Sequence, residues 1–265
     1  MRVAVQNWHT WYYTAYPVQK IDFFAARCYK VSMAVKIVFF DCDGTLTTVK
    51  SSWQYLHERL GLWDGKADEF QRLFRSGVID YGEFCRRDAA LWKGMSEKRV
   101  LDIIGEIPYH EGVKETMKAL RREGVFTVIL STGLSLLVEK VKGELDMTHA
   151  LANDLIVKEG VLTGEIRLNV AHDRESPSHA HGSGAGSRSK GFKDKGYWVR
   201  NILRDLGLRK DEAAAVGDSE GDRTMFEEAG IAIGYHPGAK TLPFLDHALH
   251  NGSFKEVFEV LRARP

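Results

Sequence analysis

Several protein classes are excluded by what this sequence has little of. It holds three cysteines, Cys28, Cys42 and Cys85, in 265 residues. So sparse and odd a count argues against a disulfide framework and fits a reducing compartment, the cytoplasm. Neither charge is in excess, since 37 Lys and Arg stand against 36 Asp and Glu. Nothing electrostatic therefore argues for nucleic acid or an anionic membrane as partner. No apolar run approaches the ~20 residues of a membrane-spanning helix. Collagen, coiled coil, wholesale disorder and small secreted scaffolds are likewise excluded. The composition, 44% hydrophobic and 28% charged, can bury a proper core. It suits one large domain or a domain carrying an insertion.

Residues 1–32 stand apart. They hold eight aromatics, among them Trp8, Trp11, Phe23 and Phe24, but no sustained period and no signal-peptide pattern. Met33 precedes the strong strand Val35–Phe40, so the upstream stretch reads as a start-site artefact. From Met33 on, strands and helices alternate. After strand 35–40 comes a helical region over about 51–105, with apolar residues at helical spacing (Trp53, Leu56, Leu60; Phe70, Leu73, Phe74). Then follow helix 112–123, strand 125–130, helix 134–142 and a hairpin, 151–157 with 161–168, turned at Glu159-Gly160. Residues 171–191 carry five Ser, four Gly and three His and no Val, Ile, Leu or aromatic. They read as a mobile surface insert, because burial cannot offset their ordering. Helix 195–206, strand 213–216, helix 220–229, strand 231–233 and helix 254–262 complete the chain. This alternation predicts an α/β fold: a parallel sheet between helical layers, formed by 33–49 and 108–265, with a helical cap at 50–107 inserted after the first strand.

In such sheets ligands bind at the carboxyl ends of the strands. Three strand ends here deliver polar groups: Asp41 and Asp43; Ser131, Thr132 and Gly133; and Gly217, Asp218 and Ser219, with Asp222 one turn on. Crowded carboxylates call for a cation, and oxygen-only ligation suits Mg²⁺ bridging to a phosphate. Backbone N–H groups at Gly44-Thr45 and the Ser131 hydroxyl can face the anion. A lysine reaching this centre would neutralise phosphate charge. One carboxylate is then free to attack phosphorus and another to move the proton.

These motifs resemble those of the haloacid dehalogenase superfamily. Asp41-Cys42-Asp43-Gly44-Thr45-Leu46 is similar to its first motif and Val128–Gly133 to its second. Lys195-Gly196 and Val216-Gly217-Asp218-Ser219-Glu220-Gly221-Asp222 are similar to its third and fourth. The order and spacing fit over about 35–262, with a three-layer Rossmann-like core. The position of the cap and the hairpin resemble the phosphoserine phosphatase-like subgroup. The resemblance implies Asp41 as nucleophile, Asp43 as general acid/base with its carbonyl on the metal, and Asp218 as Mg²⁺ ligand. Ser131, Thr132 and Lys195 would hold phosphate, and Asp222 would orient Lys195 or support the metal shell. Lys195 is preferred over Lys190 and Lys193 because it opens a helix about 20 residues before the fourth motif, as the family pattern has it. The implied activity is Mg²⁺-dependent hydrolysis of a small phosphate ester through an aspartyl-phosphate.

The resemblance is weaker around the leaving group. Where the subgroup presents a Glu to the substrate ammonium, this chain has Lys50; where it presents a cap Arg to the carboxylate, this chain has Asp88 beside Arg87. Both are expected to set specificity, away from phosphoserine. Cys42 is expected to point into the core. Trp53, Trp63, Phe70, Phe74, Phe84 and Trp92 should pack the cap, and His172, His179 and His181 should lie in a solvated loop. Two other readings share these residues. A phosphotransferase would pass phosphate to a second alcohol. A non-catalytic, phospho-regulated binding module of the receiver type would lack the long helical insert.

Overall fold

The run Ile37–Phe40 forms β1, and its four side chains are all fully buried. A strand so apolar on both faces belongs in the middle of a sheet covered on two sides. The computed structural model describes residues 33–172 and 193–263. The expectations for residues 1–32 and for nearly all of 171–191 fall outside them.

After β1 the chain forms four helices: α1 (Ser52–Arg59), α2 (Asp68–Arg75), α3 (Tyr81–Leu91) and α4 (Glu97–Gly105), with a kinked turn at Trp63–Ala67 between the first two. It continues through α5 (Val113–Arg122), β2 (Phe126–Leu134), α6 (Ser135–Leu145), β3 (His149–Lys158) and β4 (Val161–Arg167). The remainder is α7 (Lys195–Leu206), β5 (Ala213–Gly217), α8 (Arg223–Glu228), β6 (Ile231–Tyr235), β7 (His247–Leu249) and α9 (Lys255–Arg262). The sheet order is β4-β3-β2-β1-β5-β6-β7. All neighbours are parallel except β3 and β4, which form the expected antiparallel hairpin. The chain builds outward from β1 on one side and then returns to its other side. That reversal opens a crevice at the carboxyl ends of β1, β2 and β5.

Alternation along β1 separates the two faces. Val38 and Phe40 pack in one cluster with Met117 and Leu120 of α5, Val138 and Val141 of α6, and Val257 and Leu261 of α9. Ile37 and Phe39 pack in the other with Val199 and Ile202 of α7 and Met225 and Phe226 of α8. The result is the three-layer α/β core anticipated from the sequence. Among the described residues no helix is long and apolar enough to cross a membrane.

The helices between β1 and α5 form the cap, and here the packing differs from expectation in one respect. Trp53 and Trp92 stack with ring centroids 5.3 Å apart, and Trp53, Phe84 and Trp92 are buried as foreseen. They do not form a separate small core, however. They are continuous with the cluster on the Val38 face of the sheet. The hairpin also supports the cap from the side, where Gly94 N–H donates to the Leu162 carbonyl at 2.9 Å. The sequence reading missed β7, a three-residue edge strand. The helix foreseen at 220–229 begins instead as a 3₁₀ turn over Glu220–Asp222.

Candidate active site

Asp41 is the first residue beyond β1, and its N–H still donates to the Val216 carbonyl of β5 at 2.9 Å. The sheet register therefore holds the base of this side chain. Lys195 reaches it from the first residue of α7, donating to Asp41 Oδ1 at 2.6 Å and to Asp222 Oδ1 at 2.5 Å. Gly196 makes this approach possible: a Cβ there would stand 2.7 Å from the Thr224 carbonyl oxygen, so any larger residue would push α7 away from α8. Asp222 is completely buried and fully engaged. Its Oδ2 accepts from the N–H groups of Asp218 and Ser219, each at 3.1 Å, and from the Ser219 hydroxyl at 3.3 Å. Its hydrogen bonds join Lys195 to the loop after β5.

Asp218 follows β5, and its Oδ2 accepts from Lys50 Nζ at 2.6 Å. The β1 loop reaches this carboxylate through Gly44, whose φ of +83° lies in the left-handed region and whose added Cβ would stand 2.5 Å from Asp218 Oδ2. Only glycine allows that turn and that approach together. Asp41, Asp218 and Asp222 each offer an oxygen within 4.8 Å of the others. This buried, all-carboxylate set suits a hard cation. Since Asp222 is already saturated, Asp41 and Asp218 have the ligand oxygens to give.

The Asp43 carboxylate lies outside that group. Its Oδ2 accepts from the N–H and hydroxyl of Ser52 at 2.8 and 2.7 Å, and its Oδ1 is buried without a partner. Ser131 is buried, with its Oγ accepting from Gly133 N–H at 2.9 Å. The Thr132 carbonyl accepts from Tyr81 Oη at 2.6 Å, Asn153 Nδ2 at 3.0 Å and Trp53 Nε1 at 3.4 Å, so two cap residues rest on this loop.

Burial dominates the proton affinities. It pushes the Asp41 carboxyl well up, with Lys195 opposing and Asp222 and Asp218 adding to the rise. Burial raises Asp43 as well, and the two Ser52 hydrogen bonds resist it. Asp218 is pushed up to about 6 by burial and then by Asp222, against the pull of Lys50. For Lys195 burial works against the charge, but Asp222 and Asp41 overcome it and raise its pKa, so it remains an ammonium. Three clustered carboxylates thus share two ammonium groups, which leaves an excess of negative charge for a cation to balance.

The family model for haloacid dehalogenase-like hydrolases matches residues 38–227. The chain belongs to this family. It is similar to the phosphoserine phosphatase of Methanocaldococcus jannaschii, 27% identical over 203 residues, which cover 76% of this chain and 85% of the relative. It is also similar to a probable phosphoserine phosphatase of Schizosaccharomyces pombe, 29% identical over 226 residues, covering 81% and 69%. Among solved structures, a phospho-aspartyl intermediate analogue of phosphoserine phosphatase superposes with a TM-score of 0.69 at 24% identity, covering 85% of this chain and 98% of that one. A hydrolase of the same family from Salmonella enterica serovar Typhi superposes at 0.74 with 17% identity, covering 88% and 74%. Both confirm the fold.

Within this hydrolase fold the two specificity candidates part company. Lys50 stands at the site, on Asp218. Asp88 does not, and the expectation that it faces the substrate is corrected. The buried stripe of α3 is Tyr81, Phe84, Cys85, Asp88 and Ala89. Tyr81 meets the Thr132 carbonyl, but Asp88 is seven residues, roughly 10 Å, further along the helix. Its carboxylate is 3.5 Å from His57 Nε2, and both side chains are buried inside the cap. Arg87, next to it, turns outward to Glu83 at 2.7 Å. Cys42 is buried in the core as foreseen. Sequence reasoning missed Ser52, Tyr81 and Asn153. Asn153 carried little signal, since it stands beside Asp154 in the strand and only the structure shows its amide fully buried.

Proposed function

We propose that this hydrolase cleaves a small phosphate ester in two steps at Asp41. The observation that carries this reading is the Lys195 ammonium bridging Asp41 and Asp222 beside Asp218, at the converging ends of β1 and β5. Asp41 is the nucleophile. Its carboxylate oxygen forms a bond to phosphorus as the bond to the leaving alkoxide breaks, and the protonated Asp43 carboxyl supplies the proton to that oxygen. The raised pKa of Asp43 suits an acid, and its position outside the carboxylate cluster suits a proton carrier. In the second step Asp43, now ionised, takes a proton from water as water displaces Asp41 from phosphorus. Asp41 is returned and phosphate is released. Lys195, Thr132 and the Ser131 hydroxyl, whose oxygen accepts from the Gly133 N–H, hold the phosphoryl oxygens.

The donor set fits Mg²⁺, held by Asp41 and Asp218, with the Asp43 carbonyl as the third protein group that the family resemblance supplies. When bound, the ion supplies Lewis-acid stabilisation of the phosphoryl charge. The similarity to phosphoserine phosphatases supports a small phosphomonoester as substrate, and the buried thiols of Cys42 and Cys85, neither of them in a disulfide, support a reducing, cytoplasmic setting. The test is phosphate release from a panel of small esters with Mg²⁺ and after EDTA. Release is expected only with the metal. Activity that survives EDTA would overturn the metal assignment, and a phosphorylated product with added alcohol acceptors would turn hydrolysis into transfer.

A further inference from the structure

Three separate segments bring a lysine and two histidines to one corner of the site. Lys50, ahead of α1, places its ammonium 2.6 Å from Asp218 Oδ2 while 66% of its side chain stays exposed. Its stem lies against the Gly44 turn, with Cδ 3.1 Å from where a Gly44 Cβ would be. His110, ahead of α5, is tied to the same loop, its N–H donating to the Leu46 carbonyl at 3.1 Å, and the segment after His236 reaches Asp218 through Gly238 N–H, which donates to the Asp218 carbonyl at 3.3 Å. Burial, then the charges of His236 and Lys50, hold the His110 imidazole below the ordinary range. The His110 and His236 rings are 5.5 Å apart. His236, directly after β6, is set by its Nδ1, which bonds the His250 carbonyl at 2.8 Å.

An ammonium at the rim of a site, with donors left over, attracts an anionic group brought beside it. Asp218 supplies that anion to Lys50 in the protein alone. A divalent cation on Asp218 would compete for part of this carboxylate's charge, and the exposed ammonium has donors to spare for a second anion. We propose that Lys50, backed by His110 and His236, forms an anion subsite beside the phosphate position. The favoured substrate is then a small phosphate ester whose leaving group carries a second anionic group, carboxylate or phosphate, and no ammonium. This rests on the phosphatase reading given above and narrows its substrate class.

The test compares esters that differ only in their far end: ethyl phosphate, 2-phosphoglycolate, phosphoethanolamine and ethylene glycol bisphosphate. Binding is measured by calorimetry on the Mg²⁺-loaded Asp41→Asn protein, which requires no turnover. The kcat/KM values are measured on the wild type. The anionic esters should bind at least about tenfold more tightly than ethyl phosphate, with phosphoethanolamine weakest. The carboxylate and bisphosphate arms show which anion is preferred. Lys50→Met should shrink the gap to within about threefold, and Lys50→Glu should invert the order of 2-phosphoglycolate and phosphoethanolamine. Equal binding of all four esters, or an equal loss for all four in Lys50→Met, would overturn the subsite. If the wild type releases phosphate from none of them, the phosphatase reading fails, while the calorimetry still decides the subsite.

Discussion

Buried carboxylates occur both at the strand ends and inside the cap, and the two regions treat them differently. At the strand ends Asp222 accepts from an ammonium, two backbone N–H groups and a hydroxyl, and Asp41 and Asp218 each meet a lysine. In the cap, Asp88 has His57 at 3.5 Å, and both Asp88 Oδ1 and His57 Nε2 are buried without a hydrogen-bond partner. Trp92 Nε1 donates to His57 Nδ1 at 3.2 Å, and the two rings lie tilted with centroids 4.6 Å apart, which fixes the His57 ring without answering the Asp88 charge. Although Asp43 Oδ1 beside them is buried without a partner, Asp41, Asp218 and Asp222 have convergent donors, and such a network gives the rigid placement a reacting centre requires. A pair left partly unsatisfied costs stability and positions nothing that reacts. The difference shows that burial of a carboxylate alone does not mark function, whereas convergent donors do.

This contrast can be broken at several points. The largest effect is expected from Asp41→Asn, which keeps the shape and removes the nucleophile. Turnover should fall by at least about 10⁴-fold with an unchanged melting temperature, and near-normal steady-state rates would sink the mechanism. Asp43→Asn should cost about 10²–10⁴-fold. Its loss should fall most heavily on esters with poor leaving groups, which a comparison of p-nitrophenyl and alkyl phosphates would reveal.

Ser52→Ala tests the cap's contribution to the core site. It removes one of the two hydrogen bonds to Asp43 Oδ2 and should lower kcat by about tenfold. Those bonds hold the Asp43 carboxyl down against burial, so the variant's pKa moves up. The proton donor is the protonated form, so activity falls as pH rises through this pKa, and that limb should shift to higher pH. A kcat profile that drops without shifting would make Ser52 merely structural.

The smallest effect on turnover is expected from Asp88→Asn, less than about threefold, because the side chain sits with His57 in the cap. Its signature lies in stability. Burial raises the Asp88 carboxyl above its unfolded value, and His57 only partly opposes this. The native state therefore holds a proton more tightly than the unfolded chain does. That contribution is complete below the unfolded value of about 3.8 and is lost as pH rises through the native one. Urea titrations across this range should show a falling slope in the wild type that is reduced in Asp88→Asn; identical slopes would contradict the assignment.

The same contrast explains what could be read from the sequence. Asp41, Ser131 and Asp218 each follow an apolar run directly, so the fold class and the strand-end rule place them together. Lys195 opens a helix at the spacing its motif requires. Ser52, Tyr81 and Asn153 act through tertiary contacts: Tyr81 meets Thr132 across 51 positions and Asn153 across 21, and no local pattern announces such pairs. Asp88 failed for a different reason. Asp88 does lie on the inward stripe of α3, but that stripe runs about 10 Å past Tyr81, and a helical period fixes a side chain's face without saying which part of the cap it meets. The edge strand β7 was too short to carry a period.

Ser52 belongs to α1, on the cap, whereas Asp43, which it orients, belongs to the loop after β1. The aim of the proposed proton donor is thus set by a part of the chain that the phosphate never needs to touch. For anyone exchanging caps between relatives to change selectivity, this makes the cap an imperfect module. A graft joined after residue 49 brings its own first helical turn. Unless that turn presents a hydroxyl and a free N–H to Asp43, the new selectivity arrives with a misaimed acid.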